Sequence, residues 1–390
     1  LGGFGGDGNR SDTVDVTHFG DVFVEGEDSV GVLVQSVGGG GGSGGLNVSG
    51  NFAVGSSEGY AIAVGIGGFA GDGAHAGNVT LHSTGYVIVR NQEELAPGAT
   101  APTQQIGGTT GVLVQSIGGG GGQGGINATG VYADSGNPIG VGVGGNGGSG
   151  GNAGTVTVSR GYDVARVGLT GPSGEHYGLI QTHGDDSAGF IAQSVGGGGG
   201  NAGMNFSFIA SRAGGDSSKA ANITIGGSGA GAGSGSTVLV DHFGDIRTYG
   251  EDSVGMLVQS LGGGGGSANF NLGLGYLDDD AKAFTFDMGG ATGAAGSGGA
   301  VTLDHNGTIS TLGEDSIGIL AQSVGGGGGN AAFDLVEALE DVGFEEYIGG
   351  GAAHTMDISV GRIGGSGGTG GDVHVTTDGL IYTVGLRSTG

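Results

Sequence analysis

The chain has 390 residues, 106 of them Gly, and ten Lys plus Arg stand against 37 Asp plus Glu, for a formal net charge of −27. That balance excludes a nucleic-acid binder, which needs a basic footprint, and an anionic membrane surface would repel it, whereas divalent cations and basic partners stay compatible. There is no Cys, hence no disulfide framework or thiolate metal site, and no run approaches the 18 apolar residues of a spanning helix.

Glycine at this level normally marks a disordered or fibrous chain. Alternating runs of Val, Ile, Leu and Phe, with only 12% charged residues, argue for order instead. Each ordered Gly costs roughly 0.5–1 kcal/mol more than Ala in backbone entropy. The glycines therefore need a geometric reason, such as close backbone approach or positive φ.

In chain order, each unit opens on a tract of period three. It reads LGGFGGD from Leu1, VGGNGGSGGN from Val143 and IGGSGGTGGD from Ile363, with looser versions from Ile66, Ile225 and Met288. Three residues per turn is the period of the extended left-handed helix whose crowded positions take only Gly. The pattern predicts polyglycine-II-like segments lying side by side, every third side chain facing out. A flexible Gly/Ser linker is the competing reading.

A β segment follows, as in VDVTHFG (Val14–Gly20), VTLHSTG (Val79–Gly85), VLVDHFG (Val238–Gly244) and VTLDHNG (Val301–Gly307). Alternation marks a strand and the Gly a corner. A second short strand, such as DVFVEG from Asp21 or TISTLG from Thr308, leads through an EDS or DDS turn into a third. Strand, corner, strand, corner, strand is one coil of a parallel β-helix. Insertions at the corners of units two and three, RNQEELAPGATAPTQQ from Arg90 and GLTGPSGEHYG from Gly168, read as loops.

The third strand is the fixed phrase: GVLVQSV at Gly31, GVLVQSI at Gly111, GFIAQSV at Gly189, GMLVQSL at Gly255 and GILAQSV at Gly318, each followed by five Gly. Its glutamines, Gln35, Gln115, Gln193, Gln259 and Gln322, are spaced by 80, 78, 66 and 63 residues. Self-similarity at a long, ragged period marks a repeat array. Both faces of the phrase are apolar, as in strands buried on both sides. If successive units stack one layer each, the five glutamines form an amide ladder; a catalytic Gln is the less economical reading.

After the Gly run, paired strand-like segments such as NFNLGLGY and KAFTFDM read as β-hairpin arms. In the last copy, Phe333, Val336, Leu339 and Val342 have helical spacing, so a short helix is expected at that tip. The fold class is thus all-β: a parallel β-solenoid with Gly-rich tracts and hairpin arms, one continuous array of approximate units 1–65, 66–142, 143–224, 225–287, 288–362 and a partial 363–390. The closing residues GLIYTVGLRSTG match GTISTLGEDSIG and stop inside the phrase. The expectation is a fragment of a longer array.

Carboxylates recur at the second corner: Glu27 and Asp28, Asp185 and Asp186, Glu251 and Asp252, Glu314 and Asp315, with Thr109 and Thr110 in unit two. Stacked acids suit Ca²⁺ bridging; a solvated turn whose Asp and Ser cap the backbone is the plainer reading. No other cofactor is implied. His18, His242 and His305 each stand two residues before a corner Gly, with Ser159 in that place in unit three, and read as corner residues rather than metal ligands. There is no GxSxG elbow, P-loop or HExxH, and the GxGxxG matches open no βαβ unit.

The phrases GEDSVGVLVQSVGGGGG (Gly26–Gly42) and GEDSIGILAQSVGGGGG (Gly313–Gly329) resemble the Gly-rich passenger regions of large bacterial autotransporter outer-membrane proteins. The resemblance touches all five units. It implies export to the bacterial cell surface, a β-solenoid-like extracellular part, an adhesive or display role, and linkage in the full-length chain to an outer-membrane barrel. The function expected is a structural stalk or filament segment of a surface adhesin, not an enzyme. Its partners would be other copies, end to end or side by side, and host or neighbouring-cell surfaces or glycans. The alternatives are a β-helix polysaccharide-processing enzyme, which would gather non-repeating acids and bases in one groove, and a glycan-binding passenger.

Overall fold

The structure is a computed structural model. It describes residues 1–54, 59–90, 108–134, 136–161, 178–211, 219–277, 282–331, 334–340, 354–360 and 364–390. These are all strand, turn and extended tract, with no helix among them, and every strand pairing is parallel. The two inserted corner loops lie outside the described residues.

Five sheets run through the molecule; each of the five full units contributes one strand to each, and the partial last unit adds a sixth strand to the first two. The first sheet stacks Val14–Phe19, Val79–Thr84, Val156–Arg160, Val238–Phe243, Val301–Asn306 and Val373–Asp378. The second stacks Val22–Glu25, Val87–Arg90, Ile180–His183, Ile246–Tyr249, Ile309–Leu312 and Ile381–Val384. The third holds the Gln-Ser strands Val30–Val37, Thr110–Ile117, Ala188–Val195, Val254–Leu261 and Ile317–Val324. The fourth stacks Asn47–Ala53, Asn127–Ala133, Asn205–Ser211, Asn271–Leu277 and Asp334–Glu340; the fifth stacks Gly59–Ile66, Gly136–Val143, Lys219–Ile225, Lys282–Met288 and His354–Val360.

The first three sheets share one apolar core. Val238 and Val240 from the first, Ile246 from the second and Met256 and Val258 from the third are fully or nearly fully buried within one layer. Complete burial of such a side chain stabilises by about 1.5–3 kcal/mol, so a layer of five supplies a large driving force for its size. The Gly that opens each Gln-Ser phrase makes room for this core. A Cβ on Gly189 would sit 2.5 Å from Ile246 Cγ2 in the next layer, and one on Gly255 2.7 Å from Ile309 Cγ2.

Two Gly-rich tracts lie between this three-sheet body and the outer two sheets. Gly42 N–H donates to Gly6 O within its own layer, Gly71 N–H donates to Gly42 O across layers, and Gly41 N–H donates to Gly120 O along the stack, each at 2.8 Å. A Cβ on Gly41 would meet Gly71 O at 1.9 Å. Side chains are excluded there because backbones occupy the space on every inner side.

The arms are not hairpins. The two strands of an arm belong to different sheets and form no ladder with each other. Their N–H and C=O groups are already taken by equivalent strands above and below, so the limbs meet only through side chains, with Ala61, Ala63, Val131, Ala133, Ile209 and Ala220 clustered between them. The expected helix in the last arm is also overturned: Asp334–Glu340 is a strand paired residue for residue with Asn271–Leu277. A ready ladder outweighs a 3.6-residue apolar spacing; Phe333 and Val342 lie outside the described residues.

The third sheet is not buried on both sides. Val34, Ser36, Val114 and Ser116 face inward, whereas Leu33, Gln35 and Val37 are exposed and Leu113, Gln115 and Ile117 are half-buried. Among the described residues, nothing covers the outer face.

Candidate functional site

The recurring polar residues form ladders that run along the stack. Gln35 Nε2 donates to Gln115 Oε1 at 2.8 Å, Gln115 to Gln193 at 2.7 Å, Gln193 to Gln259 at 2.9 Å and Gln259 to Gln322 at 3.0 Å. Each amide donates up and accepts from below, so one orientation propagates through five layers.

The neighbouring Ser has a different task, which sequence reasoning missed. Ser116 Oγ donates to Gly77 O at 2.9 Å and accepts from Gly154 N–H at 2.7 Å. Ser194 bonds Gly154 O and Ser236 N–H in the same way, and Ser260 bonds Ser236 O and Gly299 N–H. Each buried hydroxyl thus pins the third sheet to the end of two successive first tracts. The signal was present, since Ser follows Gln in all five phrases.

A second amide ladder lies inside the arm. Asn47 Nδ2 donates to Asn127 Oδ1, Asn127 to Asn205 and Asn205 to Asn271, all at 2.7 Å, and Asn271 meets the buried carboxylate of Asp287. Sequence reasoning missed this ladder too, although LN, IN, MN and FN open the successive arms.

The corner acids stay at the surface. Glu27, Asp28, Asp186, Glu251 and Asp252 are exposed; Asp185, Glu314 and Asp315 are half-buried. Asp28, Asp186, Asp252 and Asp315 adopt φ of 51 to 56°, the left-handed conformation that Asp tolerates better than most residues. Ser29, Ser253 and Ser316 close the turn by donating to the carbonyls of Glu27, Glu251 and Glu314. Arg387 continues the Asp column with φ 59° and binds the Asp315 carboxylate through two nitrogens, which holds that carboxyl below its usual range. Thr109 is in register with Ser187, not with the acids, and it is Gly108 that backs onto Asp186 O. No group of three or more His, Asp or Glu converges as a metal site among the described residues.

The histidines belong to an inward column of the first sheet: His18, Ser83, Arg160, His242, His305. Arg160, not Ser159, occupies the place in unit three, because Gly161 stands where the other units have the residue before the corner Gly, and Gly178, beyond the insertion, takes the place of Gly244. Arg160 is 1% exposed and donates to Ser83 Oγ at 3.0 Å and Gly85 O at 2.8 Å; burial lowers it to about 10. His242 and His305 stack with ring centroids 5.1 Å apart. Burial pushes His242 well below the ordinary value, helped by His305 and Arg160, and lowers His305 to about 4.

Outside, the arm is apolar. Over the fourth sheet a groove of about 360 Å³ is floored by Gly50 and Gly130 and walled by Val48, Phe52, Phe206 and Phe208. On the fifth sheet Tyr60, Ile62 and Val64 are exposed. The arm therefore buries amides and hydroxyls beside its small apolar cluster and leaves large apolar side chains outside, where an ordinary sandwich has polar ones. Comparison with protein-family models, with curated proteins and with solved structures finds no match for this chain.

Proposed function

We propose that the chain is a structural segment: part of an extracellular stalk or filament of a secreted bacterial surface protein, built as a β-solenoid around a polyglycine-II-like slab and presenting its arms and corner loops to partners. The observation that carries this reading is where the polar groups go. The Gln and Asn ladders join a residue to its equivalents in adjacent layers, and each Ser bridges the first tracts of two successive layers, so the recurring side chains serve stacking. Bacterial surface location, adhesion and linkage to an outer-membrane barrel rest on the resemblance of the Gln-Ser phrases. End-to-end association of copies is part of this reading, since strands of the same register from another copy extend each parallel sheet.

Negative-stain microscopy of the longest chain containing this segment tests the reading, together with deletion of residues 143–224. The expected result is an elongated particle that stays folded and shortens by about one layer spacing, 4.7–4.9 Å, per deleted unit. Compact isolated globules, or a deletion that unfolds the whole array, would refute it.

A further inference from the structure

The outer positions from the third sheet through the second tract to the fourth sheet form one face that is uncharged over its first four layers. In the first layer its exposed residues include Leu33 and Val37 on the third sheet, Gly40 and Leu46 on the tract, and Val48 and Phe52 on the fourth sheet. The corresponding described positions of the second to fourth layers carry no Asp, Glu, Lys, Arg or His, in a chain of net charge −27, and the last layer adds one acid, Glu337, in register with Leu274. Phe52 is 77% exposed and Val48 72%. The opposite arm face, on the fifth sheet, does not extend in this way, because it runs into the first tract, where Asp7, Asp72 and His75 are exposed.

We propose that this face is where a second copy of the chain packs, same face against same face. The proposal deepens the filament reading and rests on it. Charge is the first argument. Two chains of −27 repel through every acidic surface, and here they meet through a face whose one charged position is Glu337 in the last layer. Period is the second. A column of side chains repeating every 4.7–4.9 Å is matched along its whole length by another stack with the same spacing, which a globular partner lacks. Area is the third. About 22 residues per layer at 3.1–3.3 Å each give a width of about 70 Å, and five layers give a height of about 24 Å. Half of that already exceeds the roughly 800 Å² per partner of a stable interface.

The middle glycines of the pentaglycine runs fit this face. Gly40, Gly120, Gly198, Gly264 and Gly327 are all exposed. A Cβ on Gly120, Gly198 or Gly264 would come no closer than 3.7 Å to any atom, and on Gly327 it would meet nothing within 4 Å, whereas on Gly197 it would meet Gly119 O at 2.0 Å. Packing within one chain therefore explains Gly197 and leaves Gly198 unexplained. A second backbone laid over this column accounts for it.

The test uses this chain, compared by sedimentation velocity and negative stain with Gly120→Glu/Gly198→Glu, with Phe52→Glu as an independent route, and with Thr17→Glu/Thr157→Glu on the outer side of the first sheet as control. The expected result is a wild type two chains wide, a control equally wide, and both face variants one chain wide with at least a tenfold weaker pairing constant. A wild type of single width at every concentration, or face and control variants that behave alike, overturns the proposal. So does flotation of single wild-type copies with phosphatidylcholine vesicles, which would make lipid the occupant. Long filaments of single width would sink this proposal and leave the filament reading standing; short paired particles would do the reverse.

Discussion

His242 Nδ1 lies 3.1 Å from His305 Nδ1, although 63 residues separate the two. At that distance one ring donates its N–H and the other accepts through a lone pair, so the acceptor is neutral. A proton added to either ring would be buried, and at His242 it would also face the charge of Arg160. The pair therefore ties the stability of the body to pH.

An unfolded His titrates near 6.5, and His305 in the fold near 4. Between these values the unfolded chain binds more protons than the folded one. Stability is thus complete above about pH 7 and falls as pH drops through 6.5 toward 4, with His305 alone accounting for roughly 3 kcal/mol. Melting temperature followed from pH 7.5 to 4 should show this loss, and His305→Leu should flatten it. An unchanged pH profile in the variant would place the acid sensitivity elsewhere.

Ser194 should matter more than its neighbour Gln193. Ser194→Ala leaves Gly154 O and Ser236 N–H without their partner inside a slab where nothing can shift to replace it, at a cost of about 2–4 kcal/mol. Gln193→Leu breaks two ladder bonds on a half-exposed face, where water takes over, and should cost at most about 1 kcal/mol. Denaturant titration of both variants decides the order.

The two adjacent glycines of the third run should respond oppositely. Gly197→Ala drives a Cβ to 2.0 Å from Gly119 O and should destabilise by more than about 2 kcal/mol. Gly198→Ala has open space and should raise stability by about 0.5 kcal/mol through the unfolded chain. Melting temperatures at dilution, where copies do not associate, separate the two effects.

The layer order was readable because a phrase as fixed as GVLVQS sets register by itself: Val32, Leu33, Val34 and Gln35 pair with Val112, Leu113, Val114 and Gln115. The arms were misread because strand, polar turn, strand is the pattern of a hairpin and equally of two limbs in separate sheets. What distinguishes them is the supply of partners along the stack, which no single unit reveals. Arg160 was missed because counting back from Gly161 takes it for the corner Gly, whereas the residue equivalent to Gly244 is Gly178, on the far side of the insertion. The exposed apolar face was misread as a buried one because the residue types are the same, and only the structure shows Leu33 and Val37 exposed, with none of the described residues over them.

Arg160 offers the sharpest test of the buried column. Its guanidinium is held by a hydroxyl and a carbonyl, and no ion pair of Arg160 is present among the described residues. Exchanging a buried charge for an apolar side chain of similar volume is often neutral or stabilising. Arg160→Met should therefore stay within about 1 kcal/mol of wild type at pH 7. Arg160→Ala leaves a cavity beside Ser83 and should lose about 3 kcal/mol. The methionine variant also removes one of the charges that lowers His242. Its stability should consequently fall less between pH 7 and 4 than that of wild type, because His242 in the fold then accepts a proton more readily. A methionine variant with an acid loss as steep as wild type, or a loss at pH 7 as large as that of Arg160→Ala, would mean that the Arg160 charge is compensated and does not act on the histidine pair.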